Sequence, residues 1–242
     1  MLRYITAQTM YQVPQITDSI YYVGVNDRMK ERFENMWSIP SGVAYNAYLI
    51  LDEKTTLIDT VDVCYSDIFF HKLDLLLQGR PLDYLIINHM EPDHGGSIGL
   101  LRQRYPDLQI VGNKKTFDML QGFHGITEGL HEVKSGDALR IGKHEFSFLM
   151  APMVHWPEVM FTYEQTQRAL FSADAFGSFG ALSGHILDKS ISDRSVYFRE
   201  MTRYYACVIG KYGSFVKKAL ANMDKQGIEF DYVCPAHGVV WS

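Results

Sequence analysis

The stretch His89-Met90-Glu91-Pro92-Asp93-His94 places four metal-ligating side chains within six residues. It leaves the short apolar run Tyr84–Ile87 (YLII) and is followed by Gly95-Gly96, so it reads as a loop at the end of a buried strand. In an extended loop alternate residues point to one side, so His89, Glu91 and Asp93 are expected to converge on one place. Burying these groups without a partner is costly, and a dication is the natural partner. A polar loop in which Asp93 caps the next helix would suit an isolated H-x-E pair better than H-x-E-x-D-H.

Three further residues share the same local setting. His155 follows the apolar run EFSFLMAPMV, Asp174 follows ALFSA, and His237 follows YVCPA. Each lies just beyond a strand and before turn-forming residues: Trp156-Pro157, Phe176-Gly177 and Gly238. Open α/β structures gather functional groups at that end of their strands. Seven donors exceed the four that one tetrahedral zinc takes, so two ions are implied. Cys64, Cys207 and Cys234 form no C-x-x-C pair, and the donor set holds no thiolate. Abundant carboxylate oxygen favours iron or manganese over zinc, with iron the commoner partner of imidazole and carboxylate together. The carboxylate of Asp174 is suited to bridge the two ions.

Outward from the ligands, strands and helices interleave. Strands are predicted at Ser19–Val25, Tyr45–Leu51, Thr55–Asp59, Gln109–Gly112, Phe161–Tyr163, Ala169–Ser172 and Tyr232–Cys234, with a hairpin of Ala138–Ile141 and Glu145–Met150. Helices are predicted at Ser66–Gln78, capped by Ser66 or Asp67, at Ile98–Tyr105 and at Thr116–Gly122. A long helical stretch, Arg199–Lys225, is interrupted near Gly210–Gly213. The class is α/β, with hairpins that exclude a purely parallel sheet. No linker or repeat divides residues 1–242, so one domain is expected. With 47% hydrophobic residues the chain can bury a full core, and a formal net charge of −5 speaks against nucleic acid. Residues 1–15 carry no signal-peptide pattern and no apolar run would span a bilayer, so a soluble, cytoplasmic protein is expected.

The order H-x-[E/H]-x-D-H, then His, Asp and His, resembles that of the metallo-β-lactamase superfamily. Glutamate at position 91, where the zinc hydrolases carry histidine, is similar to the flavodiiron proteins. So are PSGVAYNAYLI at 40–50, NHMEPDHGGS at 88–97, HWPE at 155–158, FSADAFGSFG at 171–180, RYYACVIGKY at 203–212 and PAHGVVW at 235–241. The resemblance implies a metallo-β-lactamase αβ/βα four-layer sandwich with two iron ions. It implies that His89, Glu91 and His155 bind one iron and that Asp93 and His237 bind the other. Asp174, with an oxo or hydroxo group, would bridge them. His94 stays open, because the matching histidine is a ligand in some members and turned away in others.

Flavodiiron proteins join such a domain to an FMN-binding flavodoxin domain, and no FMN site is expected within this chain. The chain thus looks like a stand-alone oxygen-binding diiron protein. Two functions follow from the resemblance. One is an O2 or NO reductase fed by an external flavoprotein or rubredoxin-like donor. The other is an oxygen sensor that reports to a signalling partner. The alternative is a metal-dependent hydrolase. A homodimer is expected by ancestry, and neither nucleic acid nor membrane as a partner. The chain departs from the family at Phe33-Glu34-Asn35, where many members carry a histidine. Tyr204 and Tyr205 lie in the region of a family tyrosine, without a choice between them. His71, His124, His131, His144 and His185 match none of the motifs and read as surface or structural residues.

Overall fold

The computed structural model describes residues 13–242. The reading of residues 1–15 as free of a signal peptide falls mostly outside them. The chain opens with β1 (Ile20–Tyr22), β2 (Val25–Asp27), β3 (Arg32–Phe33), β4 (Trp37–Ser38), β5 (Val43–Tyr45), β6 (Tyr48–Leu51) and β7 (Thr55–Ile58). There follow α1 (Ser66–Leu77), β8 (Tyr84–Ile86), the single turn α2 (Pro92–Gly95), α3 (Ile98–Arg104), β9 (Gln109–Gly112), α4 (Lys114–His124) and β10 (Leu130–Glu132). The remainder is β11 (Ala138–Arg140), β12 (Glu145–Met150), β13 (Met160–Glu164), β14 (Ala169–Phe171), α5 (Arg194–Tyr204), α6 (Gly213–Lys225) and β15 (Tyr232–Cys234).

One sheet has the order β1-β6-β7-β8-β9-β10 and the other β11-β12-β13-β14-β15. Strands β7, β8, β9 and β10 are parallel and are joined through helices, as parallel neighbours must be. Strands β11 to β14 form an antiparallel meander, and β15 returns parallel to β14 after α5 and α6.

Successive strand residues point to opposite faces, and the core divides accordingly. Leu57, Leu85 and Ile110 cluster with Phe69, Leu73, Leu101 and Leu120 of the helices. Their neighbours Ile58, Ile86 and Val111 cluster instead with Phe146, Phe148, Phe171 and Cys234 of the second sheet. In that sheet Leu149, Phe161 and Leu170 join the helix-side cluster with Ala219 and Met223 of α6. The result is an α/β sandwich of four layers, helices outside and two sheets face to face.

Several boundaries differ from the expectation for local reasons. The strand expected at Ser19–Val25 breaks at Val23-Gly24, where a Cβ on Gly24 would stand 2.5 Å from the Tyr45 carbonyl oxygen. Helix α1 has no side-chain cap at Ser66 or Asp67. A 3-10 turn at Val63–Tyr65 precedes it, and Asp62 caps that turn by accepting from Cys64 N. Asn113 caps α4 earlier than expected. The long C-terminal stretch starts at Arg194 and loosens into a π-turn at Tyr205–Ile209, then a 3-10 turn at Gly210–Tyr212. The β3–β4 hairpin and β10 were not anticipated. No described helix is long and apolar enough to cross a membrane.

Lys72 of α1 is buried, its ammonium donating to the Gly24 carbonyl and lying 5.4 Å from the centre of the Tyr22 ring. Burial pushes its pKa down to about 8. In the unfolded chain a lysine titrates near 10.4, so between these values the unfolded chain holds more protons and stability rises with pH. Urea unfolding should show the wild type gaining up to about 3 kcal/mol over Lys72→Met from about pH 7.5 to 10.5. Parallel pH profiles for the two proteins would contradict this.

Candidate metal centre

Every ligand candidate sits at the carboxyl end of a strand. His89 and Glu91 follow β8, His155 follows β12, Asp174 follows β14 and His237 follows β15. Asp93 and His94 belong to α2, which starts at Pro92 directly after the extended Glu91. Hydrogen bonds hold these loops in place. The Asp59 carboxylate accepts from Asn88 N and His89 N, and Thr60 holds the His94 carbonyl. Asn46 donates to the carbonyls of Pro235 and Gly238, and Tyr48 to that of Pro235. Gly238 has a φ of 80°, and a Cβ there would stand 2.1 Å from Ser178 Oγ, so only glycine closes the turn after His237. Asp59, Met153, Ala173 and Phe176 also adopt positive φ, each close in sequence to a ligand candidate or bonded to one. Strain of this kind persists only where packing enforces it.

The donors form two groups: His89, Glu91, His155 and Asp174, and Asp93, His94 and His237. In the first, Glu91 Oε2 lies 3.2 Å from His89 Nε2 and 3.1 Å from His155 Nε2. Asp174 Oδ2 lies 2.9 Å from His155 Nε2 and 3.5 Å from His89 Nε2. In the second, His94 Nε2 and His237 Nε2 are 3.1 Å apart, and Asp93 Oδ2 is 3.3 Å from His237 Nε2. The other oxygen of Asp174, Oδ1, lies 3.1 Å from His94 Nε2 and 3.5 Å from His237 Nε2. Each Asp174 oxygen therefore faces a different group.

These separations suit a cation. Donors about 2.0–2.2 Å from one ion stand about 3.0–3.5 Å apart around it. Asp93 is buried with no hydrogen-bond donor on either oxygen, and a cation would fill that need. Two imidazoles already have their outer nitrogens engaged. His89 Nδ1 donates to Glu158 Oε1 at 2.7 Å, and His237 Nδ1 donates to the Ala44 carbonyl at 2.7 Å. A neutral imidazole bonded in this way at Nδ1 presents the lone pair of Nε2 inward, the usual way a protein orients a metal-binding histidine. Burial disfavours charge on His94 and His155, but the surrounding carboxylates outweigh it and lift both to about 9. Despite its burial, Asp174 is held well below the usual carboxylate range, first by His89 and then by His155 and His94.

Residues 43–238 match the family described as ODP family beta lactamase. The chain belongs to this family. As a member of it, the chain is 34% identical over 234 residues to a nitric oxide reductase of Moorella thermoacetica, covering 96% of this chain and 58% of the relative. It is 31% identical to an anaerobic nitric oxide reductase flavorubredoxin of Vibrio vulnificus, covering 93% of this chain and 46% of that protein. The flavodiiron protein from Giardia intestinalis superposes with a TM-score of 0.90 at 28% identity, over 96% of this chain and 56% of that one. Rubredoxin oxygen:oxidoreductase from Desulfovibrio gigas superposes with a TM-score of 0.90 at 31% identity, over 95% and 57%. The chain spans about half the length of the relatives it matches.

The structure brings all seven sequence-derived residues of this family member together, with one correction. Asp93 does not converge with His89 and Glu91, because Pro92 begins a helical turn that carries it to the other group. Glu158 and Asp59, which orient His89 and its loop, were not singled out. The word HWPE held a signal for Glu158, since a carboxylate near a ligand histidine is a common orienting partner. Half-buried Glu34 stands beside Glu91, and burial, followed by the Glu91 charge, raises its pKa. Of the two tyrosines, Tyr204 is buried with its ring 5.5 Å from that of His237, whereas Tyr205 is exposed. Among the remaining histidines, His144 is buried between Ser19 and Glu164.

Replacing Glu158 with Ala should weaken metal binding about 10–100-fold, as loss of an orienting carboxylate typically does. Chelator competition on folded protein measures this, and an unchanged affinity would contradict the role of Glu158.

Proposed function

We propose that residues 1–242 form one non-haem diiron unit that binds and reacts with dioxygen, and with nitric oxide at the same place. In this reading His89, Glu91 and His155 hold one iron, and Asp93, His94 and His237 hold the other. His94 is included because its Nε2 lies 3.1 Å from both His237 Nε2 and Asp174 Oδ1. The observation that carries the reading is Asp174, whose two oxygens face the two donor groups from a fully buried position.

A donor set rich in carboxylate and free of thiolate suits iron. Two reduced irons bound there would supply two electrons for reaction with a diatomic gas. The chain's own residues do the rest. Glu158 and the Ala44 carbonyl fix two imidazoles, which keeps their lone pairs aimed inward without rearrangement. The rings of Phe33, Tyr45 and Tyr204 stand 5.2, 6.0 and 5.5 Å from the His237 ring and exclude water from that side. The names of the relatives, two nitric oxide reductases and an oxygen oxidoreductase, support a gas as the substrate. Glu91, in place of the histidine of the hydrolases, weighs against ester or phosphodiester hydrolysis.

Continuous reduction needs electrons beyond the two held by the pair. An external flavoprotein or rubredoxin-like donor would make the unit a reductase; without one, it would serve as an oxygen sensor reporting to a signalling partner. Mixing the reduced protein with O2 and NADH, with and without a flavoprotein donor, separates the two by whether oxygen consumption is sustained.

Elemental analysis should find about two irons per chain, the number two donor groups sharing one bridge imply. Asp174→Ala should lose most of both. Zinc as the main metal, or wild-type iron content in Asp174→Ala, would overturn the reading.

A further inference from the structure

A cavity of about 270 Å³ lies between the α5–α6 region and the second sheet. Val154, Phe161, Ile209 and Ala219, all buried, line its inner part together with the fully buried Asp174. Tyr205 and Leu220, 47% and 40% exposed, form its rim, so the cavity runs from the surface to the one residue that faces both donor groups. It opens where the helix departs from α geometry, at the π-turn Tyr205–Ile209. Such turns recur at functional sites because they spread the backbone locally. The small side chain of Ala219 leaves the space that a larger one would occupy.

The lining sets the chemistry of the occupant. Asp174 is the only carboxylate or cationic residue on the wall, and both its oxygens already face imidazole nitrogens within 3.5 Å. Beyond Asp174, a polar ligand would find only the hydroxyls of Tyr204 and Tyr205 along this path, among otherwise apolar side chains. Enclosed apolar cavities take up neutral gases such as xenon, and the buried inner part of this one has the same kind of lining. We propose that this cavity is a binding site for a nonpolar diatomic gas, which it concentrates at the Asp174 edge of the centre. The identity of the natural gas rests on the diiron reading; the cavity's affinity for an apolar gas does not.

Xenon is the probe. Crystals of the wild-type protein as purified, under xenon pressure, should show xenon between Phe161, Ile209 and Ala219. The Ala219→Phe variant should lose that xenon, and Val216→Phe, on the same wall, should repeat the loss should Ala219→Phe not fold. In iron-loaded protein, the folded variants should retain their iron while the second-order rate of reaction with O2 falls several-fold. Absence of xenon from the wild-type cavity would overturn the proposal. So would a variant that loses the xenon and reacts with O2 at the wild-type rate. Because the xenon measurement needs no metal, failure of the diiron reading would appear separately, in the elemental analysis.

Discussion

Three carboxylates and four imidazoles share one pocket from which water is nearly absent, and the pairing of Asp174 with both halves of that pocket holds it together. Asp174, His89 and His237 have no solvent exposure at all. A buried carboxylate without compensation costs several kcal/mol, so every such group must be offset locally. Glu91 and Asp174 are offset by inward-facing imidazole nitrogens. Asp93 is offset less well: no hydrogen-bond donor reaches it, and its nearest imidazole nitrogens are those of His237 at 3.3 Å and His94 at 3.6 Å. A cation in each half offsets the whole set at once, which a fixed pattern of protons on four histidines does less completely.

The fold serves that constraint. Four strand ends from two sheets deliver donors to a single place, so no one loop has to supply the site. The loops are then held from behind. Asp59 grips the backbone after β8, Glu158 grips both His89 Nδ1 and Met90 N, and Asn46 grips the turn around His237. Positive φ at Asp59, Ala173 and Phe176 marks bent backbone beside the candidate ligands, kept there by packing. The same sheets that bury the core on both faces give these loops a stiff base.

Much of this was legible in the sequence because the signals are local. Apolar runs such as YLII and ALFS mark buried strands, and each ends within a few residues of a candidate ligand, so the convergence of these residues and the α/β class could be read together. The division into two groups followed from the family resemblance, whereas the alternation of an extended loop wrongly placed Asp93 with His89 and Glu91. That division depends on Pro92 turning an extended loop into a helical turn, which moves Asp93 and His94 to the other side. The roles of Glu158 and Asp59 depend on contacts across 69 and 30 residues, which no local pattern encodes. The break in the C-terminal helix was placed by its glycines, but the π-turn that opens the cavity beside Asp174 lies just before them, in residues with ordinary helical character.

The central claim is that two ions sit on either side of Asp174. Anomalous diffraction from crystals of the purified protein, measured at the iron absorption edge, tests it most directly. Two iron peaks about 3.5–4 Å apart are expected, one beside His89, Glu91 and His155 and the other beside Asp93, His94 and His237. A single peak, or peaks that appear only at the zinc edge, would contradict it.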